Sequence, residues 1–171
     1  DSVAELEDAV DFARNGLPLP FARIVVKVVQ GTYNLSNSNL LSKLQTIGFP
    51  TYRDLRLLGG YSAGCATRQL NATNTVLLNT NADRKLFVEP RADLLLQGFH
   101  FENFSNTIQF WTFSDAPTQQ RIEATHNRFS GGNSLILFSA KSGIGTSLVI
   151  VKNNVIWNRD IAADECALVV E

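Results

Sequence analysis

Methionine is absent from all 171 residues, including position 1. The reading from this is a processed chain or a fragment, with a removed signal peptide as one source. Cysteine occurs twice, at Cys65 and Cys166, with no CxxC or Cys/His cluster, so a structural zinc site is not expected. One disulfide is permitted but not established. Charged residues make up only 18%, and 15 basic side chains face 16 acidic ones, for a net charge of −1. That balance supplies no field to recruit nucleic acid or an acidic membrane. No apolar run approaches the roughly 18 residues of a membrane span. With 44% hydrophobic residues the chain is not a disordered tail either.

What is present is a neutral chain rich in Asn, Ser and Thr, long enough for one domain, 1–171. Residues 2–16 read as an amphipathic helix. Ser2 and Glu5 form a capping box, and Val3, Leu6, Ala9, Val10 and Ala13 recur at helical spacing. Gly16, Pro18 and Pro20 end it. A second short helix falls around 38–47. From 21 onward the pattern changes to strand-length apolar runs: 24–29, 55–58, 75–78, 86–88, 94–96, 107–112, 121–125, 134–139, 148–151 and 167–170. Most are divided by Asn, Gly, Ser or Asp. No helical segments alternate with them, which leaves a β-sandwich or a solenoid.

Internal repetition favours the solenoid. Leu94, Ile122 and Val149 open three similar segments, and Phe101, Phe129 and Ile156 close them; the register recurs after 28 and then 27 residues. An earlier pair, 28–33 and 57–61, echoes this, with Tyr33 matched to Tyr61. The expectation is an all-β fold, a right-handed parallel β-helix of about four to five coils. The helix would cap its N-terminal edge; at the other end either the chain continues past Glu171, as the N-terminal part of a longer one, or something else covers that edge. Stacked coils would align Leu94, Ile122 and Val149 in one column and Phe101, Phe129 and Ile156 in another. Asn127 and Asn154 align at a bend, either as a short side-chain ladder with left-handed backbone or as simple turn residues. Several coils separate Cys65 from Cys166, so the two are expected not to bond to each other.

These segments together, Ile24-Val-Val-Lys-Val-Val-Gln-Gly-Thr-Tyr33 after the helix, Leu55-Arg-Leu-Leu-Gly-Gly-Tyr-Ser-Ala-Gly-Cys65, and the Asn-bearing repeats, resemble bacterial secreted right-handed β-helix proteins of the pectate-lyase-type fold. The likeness covers nearly the whole chain. It implies a secreted, extracellular or outer-membrane-surface location. Most members of that family have no assigned activity, so it implies little about chemistry.

Enzymes of this fold work in a groove on one parallel sheet: lyases with a calcium-holding carboxylate cluster and a basic residue, hydrolases with paired carboxylates. Strands 24–29, 86–89, 108–112, 134–139 and 167–170 are assigned here to one sheet. Its expected outward face bears few charges and an apolar strip of Val25, Val29, Phe87, Trp111, Ile136, Phe138 and Val169. Phe87, Trp111 and Phe138 are the candidate binding residues, for a polysaccharide or for a covering surface: a second copy, a further C-terminal region or a folded-back loop. The remaining candidates are Glu123, His126, Arg128 and Lys152, read as a proton-abstracting patch or as an ordinary ion pair beside a turn histidine. Cofactors and metals are not expected; His100 and His126 occupy unlike repeat positions. Three Asn-X-Ser/Thr sequons, at Asn34, Asn71 and Asn103, carry no further reading here. The function expected is a non-enzymatic secreted or cell-surface scaffold for adhesion, glycan contact or assembly. The alternative is a carbohydrate-active enzyme resembling polysaccharide lyases.

Overall fold

The computed structural model describes residues 2–15, 23–38, 54–80, 86–88, 93–104, 108–111, 120–131, 136–139, 147–157 and 168–170. It opens with helix α1 (Val3–Asn15). The capping box forms as the sequence predicts: the Glu5 amide donates to Ser2 Oγ at 3.2 Å, and the Ser2 amide donates to Glu5 Oε2 at 2.8 Å. Leu6, Val10 and Ala13, one helical face, are buried in the same core as the strands that follow.

Those strands form three parallel sheets. Sheet A holds β1 (Arg23–Val29), β3 (Asp54–Tyr61), β6 (Asp93–Gln97), β9 (Gln120–Thr125) and β12 (Ser147–Lys152). Sheet B holds β2 (Gly31–Asn34), β4 (Thr75–Leu78), β7 (His100–Glu102), β10 (Arg128–Ser130) and β13 (Val155–Trp157). Sheet C holds β5 (Leu86–Val88), β8 (Ile108–Trp111), β11 (Ile136–Ser139) and β14 (Leu168–Val170). Within each sheet the strands follow one another in chain order. Helix α1 packs on β1, an edge strand of sheet A.

The expected columns are present. Leu94 pairs with Ile122 and Ile122 with Val149. Phe101 pairs with Phe129 and Phe129 with Ile156. The Phe101 and Phe129 rings stack with centroids 5.0 Å apart, and both side chains are buried. Each such phenyl contributes about 1.5–3 kcal/mol by leaving water.

The bend between sheets A and B is an asparagine ladder. Asn127 Oδ1 accepts the Phe99 amide at 3.0 Å, and Asn127 Nδ2 donates to the Leu96 carbonyl at 3.0 Å. Asn154, 27 residues on, repeats both bonds, to the Asn127 amide at 2.9 Å and the Ala124 carbonyl at 2.8 Å. The left-handed backbone belongs to the preceding residues Gly98, His126 and Asn153, with φ of 82°, 55° and 56°. That corrects the expectation: the positive φ makes the turn, and the Asn after it satisfies the buried backbone groups the turn leaves open.

Several other expectations change. Strand β1 joins sheet A with β3, not sheet C with β5, because its partner is the next strand to run over the same side. Val25 and Val29 therefore do not continue an apolar strip with the sheet C residues. Tyr33 pairs with Leu77 on sheet B, while Tyr61 pairs with Val29, so the two tyrosines are not repeats of one position. In β11, Phe138 pairs with Phe110, and Leu137 shares a register column with Gln109 and Phe87. The expected alternation there is one residue out of step, so Phe138 does not lie in one register face with Phe87 and Trp111. The proposed helix at 38–47 lies almost wholly outside the described residues, and Ser38 itself is not helical. Cys65 is a free thiol, and Cys166 lies outside the described residues.

The Gly59-Gly60-Tyr61 segment has a packing reason. The chain after β3 folds back so that Tyr61 and Arg68 form an antiparallel bridge, and the Gln69 amide donates to the Gly60 carbonyl at 2.8 Å. A Cβ on Gly60, whose φ is 89°, would sit 2.1 Å from the Gln69 carbonyl oxygen; one on Gly59 would sit 2.5 Å from that of Gly98. Only glycine admits such close backbone approach.

Candidate functional site

Alternation along sheet A sends Ile24, Val26, Leu55, Leu57, Leu94, Leu96, Ile122 and Ala124 inward. The intervening residues face out, and at the N-terminal ends of these strands they are ionic. Register sets Arg23, Asp54, Asp93 and Arg121 side by side across neighbouring strands, the first row of the face. Two residues on, Arg56, Leu95 and Glu123 form the next row. Arg23, Asp54, Arg56, Asp93, Arg121 and Glu123 frame an open cleft of about 380 Å³.

Every carboxylate in the cleft is engaged. Asp54 accepts from Arg23 Nε at 2.6 Å and from Arg56 Nη2 at 2.9 Å. Burial pushes the Asp54 pKa up, but hydrogen bonds from Arg56 and Arg23 outweigh it and hold the carboxyl below its ordinary value. The same hydrogen bond raises Arg56, with burial opposing. Asp93 Oδ1 accepts the Arg121 backbone amide at 2.8 Å. Glu123 sits between Arg121 Nη2 and, at 3.6 Å, Lys152 Nζ. Farther along the face Arg68 crosses from the folded-back loop. Its Nε donates to the Gly59 carbonyl at 2.9 Å and its Nη1 to Gln97 Oε1 at 2.7 Å. Burial pushes its guanidinium pKa down. Lys27 and Arg68 both lie over the Tyr61 ring, at 5.3 and 5.4 Å from its centroid.

The four residues expected as a patch are divided by the bend. Glu123 and Lys152 pair across the neighbouring strands β9 and β12 of sheet A, as expected. His126 occupies the turn itself, its Nε2 3.4 Å from Asn153 Nδ2. Arg128 begins β10 on sheet B, with its guanidinium 5.9 Å from the Trp157 ring. Phe87, Trp111 and Phe138 lie on β5, β8 and β11 of sheet C; their side chains lie outside what the structure describes.

Sequence reasoning missed Arg23, Asp54, Arg56, Asp93 and Arg121 as a group. The signal was available: each begins, or lies within two residues of the start of, a sheet A strand. Assigning β1 to the wrong sheet scattered them. Among the described residues no group of three or more His, Cys, Asp or Glu is arranged to hold a metal. No described helix is long and apolar enough to cross a membrane.

Fold and site together define an all-β protein of parallel sheets with a charged cleft on one outer face. No family model, curated protein or solved structure matches the chain.

Proposed function

We propose that this chain is a right-handed parallel β-helix of about five coils, capped by α1 and secreted or displayed on a cell surface. Its sheet A face contacts an acidic polysaccharide. Successive return of the chain to sheets A, B and C in the same order supports the architecture. The observation that carries the function is the pre-paired ionic cleft of Arg23, Arg56 and Arg121 with Asp54, Asp93 and Glu123. Guanidinium groups offer fixed, planar donors to the carboxylates of a polyanionic sugar, and the carboxylates accept from sugar hydroxyls. Because the groups are already ordered by one another, binding costs little side-chain entropy.

The chemistry of the cleft favours holding a chain over cutting it. A lyase base must lose a proton, and Arg56 is pushed the other way by Asp54. A hydrolase acid must keep one, and Asp54 is held ionised. The three carboxylates on one face are the observation that keeps a polysaccharide-active enzyme as the second reading.

Affinity electrophoresis against acidic and neutral polysaccharides tests both. Retardation by a uronate-containing polymer is expected, lost in the Arg23→Ser/Arg121→Ser double variant. No retardation by any polymer would reject the glycan reading. Release of unsaturated uronate or of new reducing ends, abolished by Asp54→Asn, would establish the enzyme instead.

A further inference from the structure

On sheet B, register places His100 beside Arg128, and Glu102 beside Ser130, across β7 and β10. The contact is diagonal: His100 Nε2 lies 2.5 Å from Ser130 Oγ. The other ring nitrogen, Nδ1, lies 4.0 Å from Glu102 Oε2. A hydroxyl, an imidazole and a carboxylate thus stand in line, the imidazole between the other two. The His100 side chain is 12% exposed, and Glu102 reaches solvent at 38%.

We propose that Ser130, His100 and Glu102 form a nucleophile, base and orienting carboxylate that transfer small acyl groups from carboxylic esters to water. The proposal is independent of the polysaccharide reading and lies on a different sheet.

Three features support it beyond the alignment. With Ser130 O–H donating to Nε2, the ring proton resides on Nδ1, facing Glu102, which is the tautomer a serine nucleophile needs. Burial holds the His100 pKa below its ordinary value, opposed by Glu102 and reinforced by Arg128, so the ring is neutral and able to accept a proton at neutral pH. Arg128, two residues before Ser130 on the same face, has a buried Nε with no hydrogen-bond partner in the structure. Such an unused donor is costly unless something accepts from it, and an oxyanion formed at Ser130 would. Trp157, paired with Ser130 in the next strand, is 61% exposed and offers an open apolar surface next to a serine that is itself 8% exposed. The 4.0 Å gap to Glu102 is longer than a hydrogen bond, and such gaps close when substrate binds.

The steps balance without a further reagent. Ser130 Oγ attacks the ester carbonyl while its proton passes to His100 Nε2. The tetrahedral intermediate collapses, breaking the bond to the leaving alkoxide, which takes that proton from Nε2. Water then attacks the Ser130 ester, giving one proton to Nε2. The carboxylic acid departs, and that proton returns to Ser130 Oγ.

The full chain is to be treated with a fluorophosphonate probe, in which Ser130 oxygen displaces fluoride at phosphorus. The expected result is one adduct per chain, mapped by peptide mass spectrometry to Ser130, with turnover of p-nitrophenyl acetate. Ser130→Ala should abolish labelling, and His100→Gln should slow it by about 100-fold or more. Circular dichroism reports whether each variant is folded. His100→Gln retains the serine and a hydrogen-bonding side chain, so it decides the matter if Ser130→Ala does not fold. Absence of an adduct on the wild-type chain, an adduct elsewhere, or unchanged labelling of folded His100→Gln would each overturn the proposal.

Discussion

Asn127 shows how one side chain can tie together chain segments far apart in the sequence. It is 1% exposed, and its amide both accepts from Phe99 and donates to Leu96. Asn127→Ala would leave a buried N–H and a buried C=O without partners, at about 1–3 kcal/mol each. The expected outcome is a loss of about 2–5 kcal/mol in urea unfolding. Asn154→Ala should cost less, since Asn154 lies only partly buried on β12–β13, the last described rung of sheets A and B. Equal losses at the two positions would argue against burial as the cause. The asparagines were legible in the sequence because they recur in step with the apolar columns. Their partners were not, since a hydrogen bond to a residue 28 positions away leaves no local mark.

At the scale of the element, the strands divide by length. Every strand of sheets A and C was legible, because each presents several apolar or β-branched residues in succession. On sheet B, β4 was legible, while β2, β7, β10 and β13 were not read as strands. Three of these are three residues long, with one inward side chain each, so no alternation exists to be read. That omission hid the His100–Ser130 contact, which needs β7 beside β10. The folded-back loop after β3 is a second element with a testable hinge. Gly60→Ala would place a methyl 2.1 Å from the Gln69 carbonyl at a φ of 89°. Gly64→Ala imposes a similar φ, 72°, into open space. Gly64→Ala should cost about 1 kcal/mol. Gly60→Ala should cost more and also free the loop, seen as faster tryptic cleavage after Arg68. Equal cleavage rates in the two variants would mean the close approach does not hold the loop.

Across the molecule, one hydrophobic core runs from Leu6 and Val10 in α1 through the sheet columns to Phe129. A continuous core predicts one cooperative unfolding transition. Phe129→Ala, which removes a stack at 5.0 Å deep in that core, should cost about 3–5 kcal/mol and shift the whole transition. Separate transitions for α1 and the strands, by circular dichroism and tryptophan fluorescence, would mean that the core is divided. The sequence alone determined the elements with strong local signatures: the capped helix, the longer strands, and the 27–28-residue register of Leu94, Ile122 and Val149. Each depends on spacing within a few residues or on repetition of a pattern, and both survive without coordinates. Tertiary structure decided which strand lies beside which. Arg23 meets Asp54 across 31 positions, and His100 meets Ser130 across 30. The sequence intervals between paired strands vary, so these meetings follow no fixed count. Chemistry on a sheet face is made by neighbours from strands distant in the sequence, and only their parallel pairing brings them into reach.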